Sequence, residues 1–229
     1  WVGFLDKGNV YVNMPYQYLY GYLDNGIVQS YADIYNTTLQ WARPGDILRV
    51  DVNGDGSVTS DDRVAYVNNQ QNMPTTNFGM KIQMDWKGFD LSMLFQGTAG
   101  RKDYGITNFN TINVPRQRYA SSIEHVNNPW SYDNRNGLWP RLDLSSSNQS
   151  SSQFWLDDLS YVRMKNLMLG YTLPKQFARK IFVENLRVYY STENLFTITN
   201  YRGLDPEKTN RGDMYPLVSS HSFGITIGF

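Results

Sequence analysis

Residues 51–62 (DVNGDGSVTSDD) carry the oxygen donors of a cation loop. Asp51, Asn53 and Asp55 alternate, Gly56 follows and Asp62 closes the frame. Calcium takes about six to eight oxygens, which a short loop supplies by curling around the ion. In such a loop the side chains at positions 1, 3 and 5 point inward and position 7 offers its backbone carbonyl. Glycine at position 6 permits the sharp turn. Ser57 falls at position 7, and Thr59 at the position that often acts through water. Asp62 stands where the helix–loop–helix calcium motif has Glu, and its shorter side chain makes bidentate closure harder. The expected ligands for Ca2+ are therefore Asp51, Asn53, Asp55, Ser57, Thr59 and Asp62. The competing reading is an Asx-rich turn that holds no ion.

Other residues capable of chemistry form no catalytic set. Asp157 and Asp158 are adjacent, so in a strand they point to opposite faces and do not work as an acid/base pair. His125 and His221 are distant in sequence, with no Ser or Cys arrangement around them, and cysteine is absent. No enzyme is expected. Trp130, Trp139 and Trp155 suit packing within a long loop, with stacking on sugar rings or on a partner protein as the sharper alternative. Arg116, Arg118, Arg135 and Arg141 read as solvated loop charges, with an anionic ligand as the alternative.

Composition narrows the class. Among 229 residues, 21 basic residues balance 21 acidic ones, which gives no reason to expect a nucleic-acid partner. Charged residues make up 18% and aromatics 15%, a low-charge, aromatic-rich chain. No apolar run reaches the ~20 residues of a membrane helix. The chain starts at Trp1 without an initiator Met or basic leader, so a processed product or a piece of a longer chain is expected.

Residues 1–76 read as a loop-rich region. A strand within 10–22 is interrupted by Pro15, and a short helix over 29–39 has Ser30 as cap and Asp33 three residues on. A second short helix is expected at 62–68. From Asn77 the pattern is strict alternation, with Phe78, Met80, Ile82, Met84 and Trp86 on one parity. Phe89, Leu91, Met93 and Phe95 repeat it after Lys87-Gly88. A two-residue loop places Trp86 and Phe89 on the same face, so turn and alternation agree on a hairpin. Strands are expected at 77–86, 89–99, 159–172, 186–198 and 220–229, with long loops at 100–158 and 200–219. Arg163 and Lys165 share the parity of Leu167, which a bulge before Asn166 would explain. Residues 175–182 suit one or two helical turns.

Each strand has one apolar and one polar face. A soluble sandwich gives the same alternation, but three features favour a transmembrane barrel. The strands match the ~9–11 residues that cross a bilayer at a tilt, connections alternate short and long, and aromatics sit near strand ends. If the chain terminus is periplasmic, Lys87-Gly88 and 173–185 are periplasmic too, and the calcium loop lies outside the cell. Five strands do not close a barrel and open edges do not persist in lipid, so the fold class expected is all-β: part of a larger antiparallel transmembrane β-barrel.

The ordered motifs also resemble a known family. Pro44-Gly45-Asp46-Ile47, Asp51-Val52-Asn53-Gly54-Asp55-Gly56 and Asp61-Asp62-Arg63 resemble a hallmark of SusC/RagA-type TonB-dependent outer-membrane transporters of Bacteroidetes. So do Lys87-Gly88-Phe89-Asp90, Phe95-Gln96-Gly97 and Tyr161-Val162-Arg163-Met164-Lys165-Asn166. Glu193-Asn194-Leu195-Phe196 and Gly203-Leu204-Asp205-Pro206-Glu207 complete the series, and Phe229 resembles the terminal aromatic of such barrels. The resemblance implies the C-terminal strands of a 22-stranded barrel with a plug domain supplied elsewhere. It further implies TonB as energy source, a SusD-like surface lipoprotein as lid, and an oligosaccharide or peptide as substrate. The calcium loop alone also resembles half of a dockerin, a soluble calcium-binding module that mediates protein or glycan binding.

Overall fold

The computed structural model describes residues 18–35, 42–70, 74–104, 126–141, 148, 150–201, 203, 205–207 and 215–229. Arg116, Arg118, His125 and half of the Ser-rich run 145–152 lie outside these residues, as do the first seventeen positions and the tail of the helix expected over 29–39. In chain order the strands are β1 (Tyr18–Tyr22), β2 (Asp24–Ile27), β3 (Ile47–Arg49), β4 (Arg63–Gln70), β5 (Thr76–Trp86) and β6 (Phe89–Ala99), followed by β7 (Lys102–Tyr104), β8 (Leu156–Asp158), β9 (Tyr161–Thr172), β10 (Asn185–Glu193), β11 (Thr197–Thr199) and β12 (Ser220–Gly228). Among the described residues, the short helices α1 (Tyr31–Tyr35) and α2 (Lys175–Ala178) accompany them. The chain divides into two compact units: Trp1–Met73 with Arg101–Asp158 and Thr209–Gly212, and Pro74–Gly100 with Leu159–Lys208 and Asp213–Phe229.

In the first unit, antiparallel pairs β1–β4, β2–β3 and β7–β8 surround an aromatic core. Ile47, Trp139 and Trp155 form its centre, with Tyr104 and Phe154 against it. The Trp139 and Trp155 rings stack 6.1 Å apart, and the Trp130 indole N–H donates to Gln29 Oε1 at 2.9 Å. All three tryptophans are buried, which is the packing role rather than a sugar platform. The segment 100–158, expected to be a loop, instead supplies β7, β8 and this core. Alternation failed to announce that arrangement because single large side chains, not a period, carry the burial. α1 begins as the sequence implies: the Asp33 carboxylate accepts from the Ser30 and Gln29 amides at 2.8 and 2.9 Å. The helix expected at 62–68 is strand β4, entered through a 3-10 turn at Ser60–Asp62. Its pairing with β1 outweighs the local helical signal, as β-branched Val64 and aromatic Tyr66 favour.

The second unit is one antiparallel sheet in the order β12-β10-β9-β6-β5, with β11 paired on β9. Lys87 and Gly88 hold φ of 47° and 89°, the left-handed pair that a tight hairpin turn needs, and Trp86 pairs with Phe89. Register then aligns the apolar parity of all five long strands. Met84, Leu91 and Leu169 lie in one row, and Phe89, Tyr171, Val188 and Ile225 in the next. The ladder shifts between Leu94 and Phe95, which face Asn166 and Met164, so Lys165 is the extra residue. This is the bulge that the parity of Arg163 and Lys165 called for. The strand expected over 186–198 is split: β10 ends at Glu193, Asn194 turns left-handed at φ 51°, and β11 resumes on Arg163. The extra residue on β9 forces its neighbour to adjust at the same level, where the Asn194 amide donates to the Lys165 carbonyl at 3.1 Å.

On the polar face, Arg187 of β10 reaches over β9 to Asp90 of β6, N to O 2.5 Å. Gly170 lies directly beneath, and a Cβ there would run into both the Asp90 carboxylate and the Arg187 guanidinium. Gly170→Val is expected to break the pair and destabilise the folded protein by about 1–2 kcal/mol, the scale of a charge-assisted bond with partial solvent access. A thermal unfolding curve checks this; an unchanged midpoint contradicts it.

Candidate functional site

The loop 51–62 belongs to the first unit. Gly54 and Gly56 take φ of 75° and 86°, so the chain bends sharply where the sequence places its glycines. The Asp51 carboxylate accepts from the Gly54 amide at 2.7 Å and the Gly56 amide at 3.0 Å. Asn53 Oδ1 accepts from the Asp55 amide, and Asp55 Oδ1 from the Ser57 amide, both at 2.8 Å. Asn53 and Asp55 are exposed, while Asp51 and Ser57 are half-buried. Thr59 Oγ1 accepts from the Asp61 amide at 3.2 Å and caps the 3-10 turn.

Asp62 is fully buried and differs from the others. Its Oδ1 accepts from the Val52 and Asn53 amides at 2.9 and 3.3 Å, and its Oδ2 from the Thr59 amide at 2.7 Å. One carboxylate thus ties the first residues of the loop to the last. These amide donors, the Thr59 N–H first, outweigh burial and hold the Asp62 carboxyl below the usual carboxylate range.

Among the described residues no three His, Cys, Asp or Glu side chains converge as a metal-sized group. The loop carboxylates instead fold onto the loop's own amides. The donor chemistry still suits a hard cation: every candidate donor is oxygen, and a carboxylate has about four lone-pair sites. Asp51 and Asp55, which accept at most two hydrogen bonds per side chain here, keep capacity for an ion. Asp62 has less to spare.

Two polar clusters were not singled out as sites by spacing. Asp46, 2% exposed, accepts from the Arg43 amide at 2.8 Å, Arg141 Nε at 2.7 Å and Asn148 Nδ2 at 2.9 Å. Asn148 Oδ1 in turn accepts from the Ile47 amide at 2.9 Å. Arg141 is therefore a structural partner of Asp46 and not a solvated charge. Gly45 at φ 92° makes this possible, since Trp130 and Arg141 lie where a side chain would be.

In the second unit Arg163 is buried and forked between Asp205 at 2.7 Å and Glu207 at 2.6 Å, with Nε on Thr197 Oγ1 at 2.7 Å. Lys165, the bulge residue, meets Glu207 at 2.8 Å. Burial pushes the Asp205 carboxyl up, but the Leu217 amide and Arg163 overcome it and hold it below the ordinary range. The signal for this cluster was present as two matched spacings, Arg163-x-Lys165 and Asp205-x-Glu207. His221 sits at the start of β12 and hydrogen-bonds Tyr190 Oη at 2.6 Å. Asp157 is buried and Asp158 exposed, on opposite sides of β8 as expected.

Comparison with known proteins places these features. No family model matches the chain. It is 31% identical over 228 residues to TonB-dependent receptor P3 of Formosa agariphila, an alignment that covers 92% of this chain and 22% of that protein. It is 26% identical over 202 residues to TonB-dependent receptor SusC of Bacteroides thetaiotaomicron, covering 87% and 19%. A solved structure of the RagAB peptide transporter superposes with a TM-score of 0.67 at 25% identity, over 93% of this chain and 23% of that one. The RagAB importer in its closed-closed state gives 0.68 at 24%, a likeness of fold. The chain spans about a fifth of the length of the curated relatives it matches. With its all-β antiparallel sheet and its ordered motifs, the chain belongs to the SusC/RagA-type TonB-dependent receptors.

Proposed function

We propose that this chain supplies strands of the outer-membrane barrel of a TonB-dependent transporter that imports oligosaccharides or peptides. The observation that carries this reading is the sheet β12-β10-β9-β6-β5. One face of it is apolar along five strands, interrupted only by Thr76, Thr192 and His221 at the end away from the short turns, and it exposes large side chains, with Met84 53%, Trp86 67% and Ile225 66% exposed. The opposite face carries Lys81, Gln83, Asp85, Ser92 and the Asp90–Arg187 pair, as the wall of a wet lumen does. Neighbouring strands of the barrel complete the outer edges of β5 and β12, since unpaired strand edges are not tolerated in lipid. The short turns at 87–88 and 173–184 face the periplasm in this reading, and the long connections face outward.

The relatives support the partners. RagAB is a peptide importer, and SusC is a TonB-dependent receptor. A SusD-like lipoprotein closes over the outer side of the barrel, TonB supplies the energy, and a plug and further strands complete the pore. A dockerin-like module is the weaker reading, because a dockerin needs a second calcium loop within about 72–90, where β5 lies. The protein is expected to fractionate with the outer membrane and to need detergent for a monodisperse preparation. A protein that stays monodisperse without detergent contradicts this.

The loop 51–62 takes Ca2+ on the outer side in the same proposal. Asp51, Asn53 and Asp55 would hold the ion with the Ser57 carbonyl and Thr59, while Asp62 closes the frame. The ion would supply charge neutralisation and rigidity, and the loop would stiffen an external segment near the lid. Asp51→Ala with Asp55→Ala is expected to abolish calcium uptake in a titration and to speed proteolysis within 45–65. An unchanged titration contradicts the site.

A further inference from the structure

At the sheet end that carries the short turns, the apolar face holds a groove of about 260 Å3. Phe89, Leu169, Tyr171, Val188, Tyr190 and Phe223 line it, and almost every lining surface is apolar. The Phe89 and Tyr171 rings sit 4.5 Å apart at its mouth, and Tyr190 packs 5.0 Å from Phe223 at its far end. Register makes this a shallow channel running along the strands for about two residues, roughly 7 Å.

The mouth opens beside the turn 173–184. The Thr172 amide donates to the Gly88 carbonyl at 2.7 Å, and the Glu184 amide to the Gly228 carbonyl at 2.8 Å, which sets both turns and the last strand side by side. The turn is amphipathic. Lys175, Arg179 and Lys180 are exposed and make no ion pair among the described residues; Lys180 lies over the Phe177 ring at 5.6 Å. Phe177 is 54%, Ile181 53% and Phe182 93% exposed. Phe182 takes a left-handed φ of 61°, costly for a bulky residue, and that conformation leaves its ring exposed. Apolar rings beside unpaired cations form the pattern of a segment lying at a bilayer interface, where anionic headgroups meet acyl chains.

We propose that groove and turn form one phospholipid site. An acyl chain lies against Phe89, Tyr171, Val188 and Tyr190, and the phosphate of an anionic headgroup sits on Lys175, Arg179 and Lys180. Charge selects the lipid, since three cations without carboxylate partners favour an anionic over a zwitterionic headgroup. Arg179 adds the forked geometry that suits phosphate oxygens. The site rests on the reading of the apolar face as lipid-facing, and its occupant belongs to the leaflet beside the short turns. It would anchor the barrel in register with the membrane surface.

Native mass spectrometry of the protein extracted from its own outer membrane, titrated with phosphatidylglycerol or phosphatidylcholine, tests this. Wild type is expected to retain phosphatidylglycerol preferentially. Combining Lys175→Gln, Arg179→Gln and Lys180→Gln is expected to weaken that retention about fivefold per cation removed, the equivalent of about 1 kcal/mol each. Val188→Trp, which fills the groove from an exposed position, is expected to reduce retention of both lipids. Lys81→Gln on the opposite face is expected to change neither. Equal retention of the two lipids by a detergent-dependent wild type, unchanged in the triple variant, overturns the site while the barrel stands. Selective retention of lipid A that survives the triple variant also overturns it, by assigning the face to the other leaflet. A protein that needs no detergent overturns site and barrel together.

Discussion

A sheet with one face apolar along five strands has to meet something other than water, and the second unit is governed by that constraint. Period-two alternation sets the composition of each strand, but register makes the face continuous. A one-residue slip anywhere would carry lysine, glutamine and aspartate to the apolar side. Register is pinned at three places. Lys87-Gly88 fixes β5 against β6, the bulge at Lys165 absorbs one residue between β6 and β9, and the left-handed Asn194 absorbs the matching offset between β10 and β11. The polar face contributes the Asp90–Arg187 pair, which spans three strands and fits only over Gly170.

The bulge also ties the sheet to its long connection. By adding a residue, it lets Arg163 and Lys165 both reach Glu207, while Met164 keeps to the apolar parity. Arg163 is buried and forked, so removing one of its partners leaves a charge in a poorly solvated place, costlier than losing a surface pair. The polar residues of Asp205-Pro206-Glu207 are thus part of the fold at the strand end. In the first unit Asp46 plays a similar part, gathering Arg43, Arg141 and Asn148 around one carboxylate.

Much of this was legible in the residues. The hairpin, the five long strands, the short helical turn after Pro174 and the bulge followed from alternation, turn chemistry and a parity conflict. The oxygen-bearing residue types of the loop were legible as chemistry, and Gly56 turns left-handed where the sequence expects a sharp turn. What stayed hidden depends on contacts distant in sequence. Residues 62–68 carry a weak helical signal that pairing with β1 overrides. The segment 100–158 has no period, yet its tryptophans build a core, because a buried indole needs a neighbour and a hydrogen-bond acceptor, not a repeat. Asp62 accepts from the amides of Val52, Asn53 and Thr59, a role that only the folded loop reveals.

These 229 residues hold no cysteine, so single cysteines introduced among them test most directly whether the apolar face meets lipid. Single cysteines placed in turn along 77–86 and 220–228 of the native protein in bilayers would carry a spin label at each position. Alternation is expected. Labels at Met80, Ile82, Met84, Ile225 and Ile227 should respond to oxygen dissolved in lipid, and labels at Lys81, Gln83, Asp85 and Thr226 to a water-soluble nickel complex. Accessibility without a period of two, or apolar positions open to the nickel complex, would contradict it.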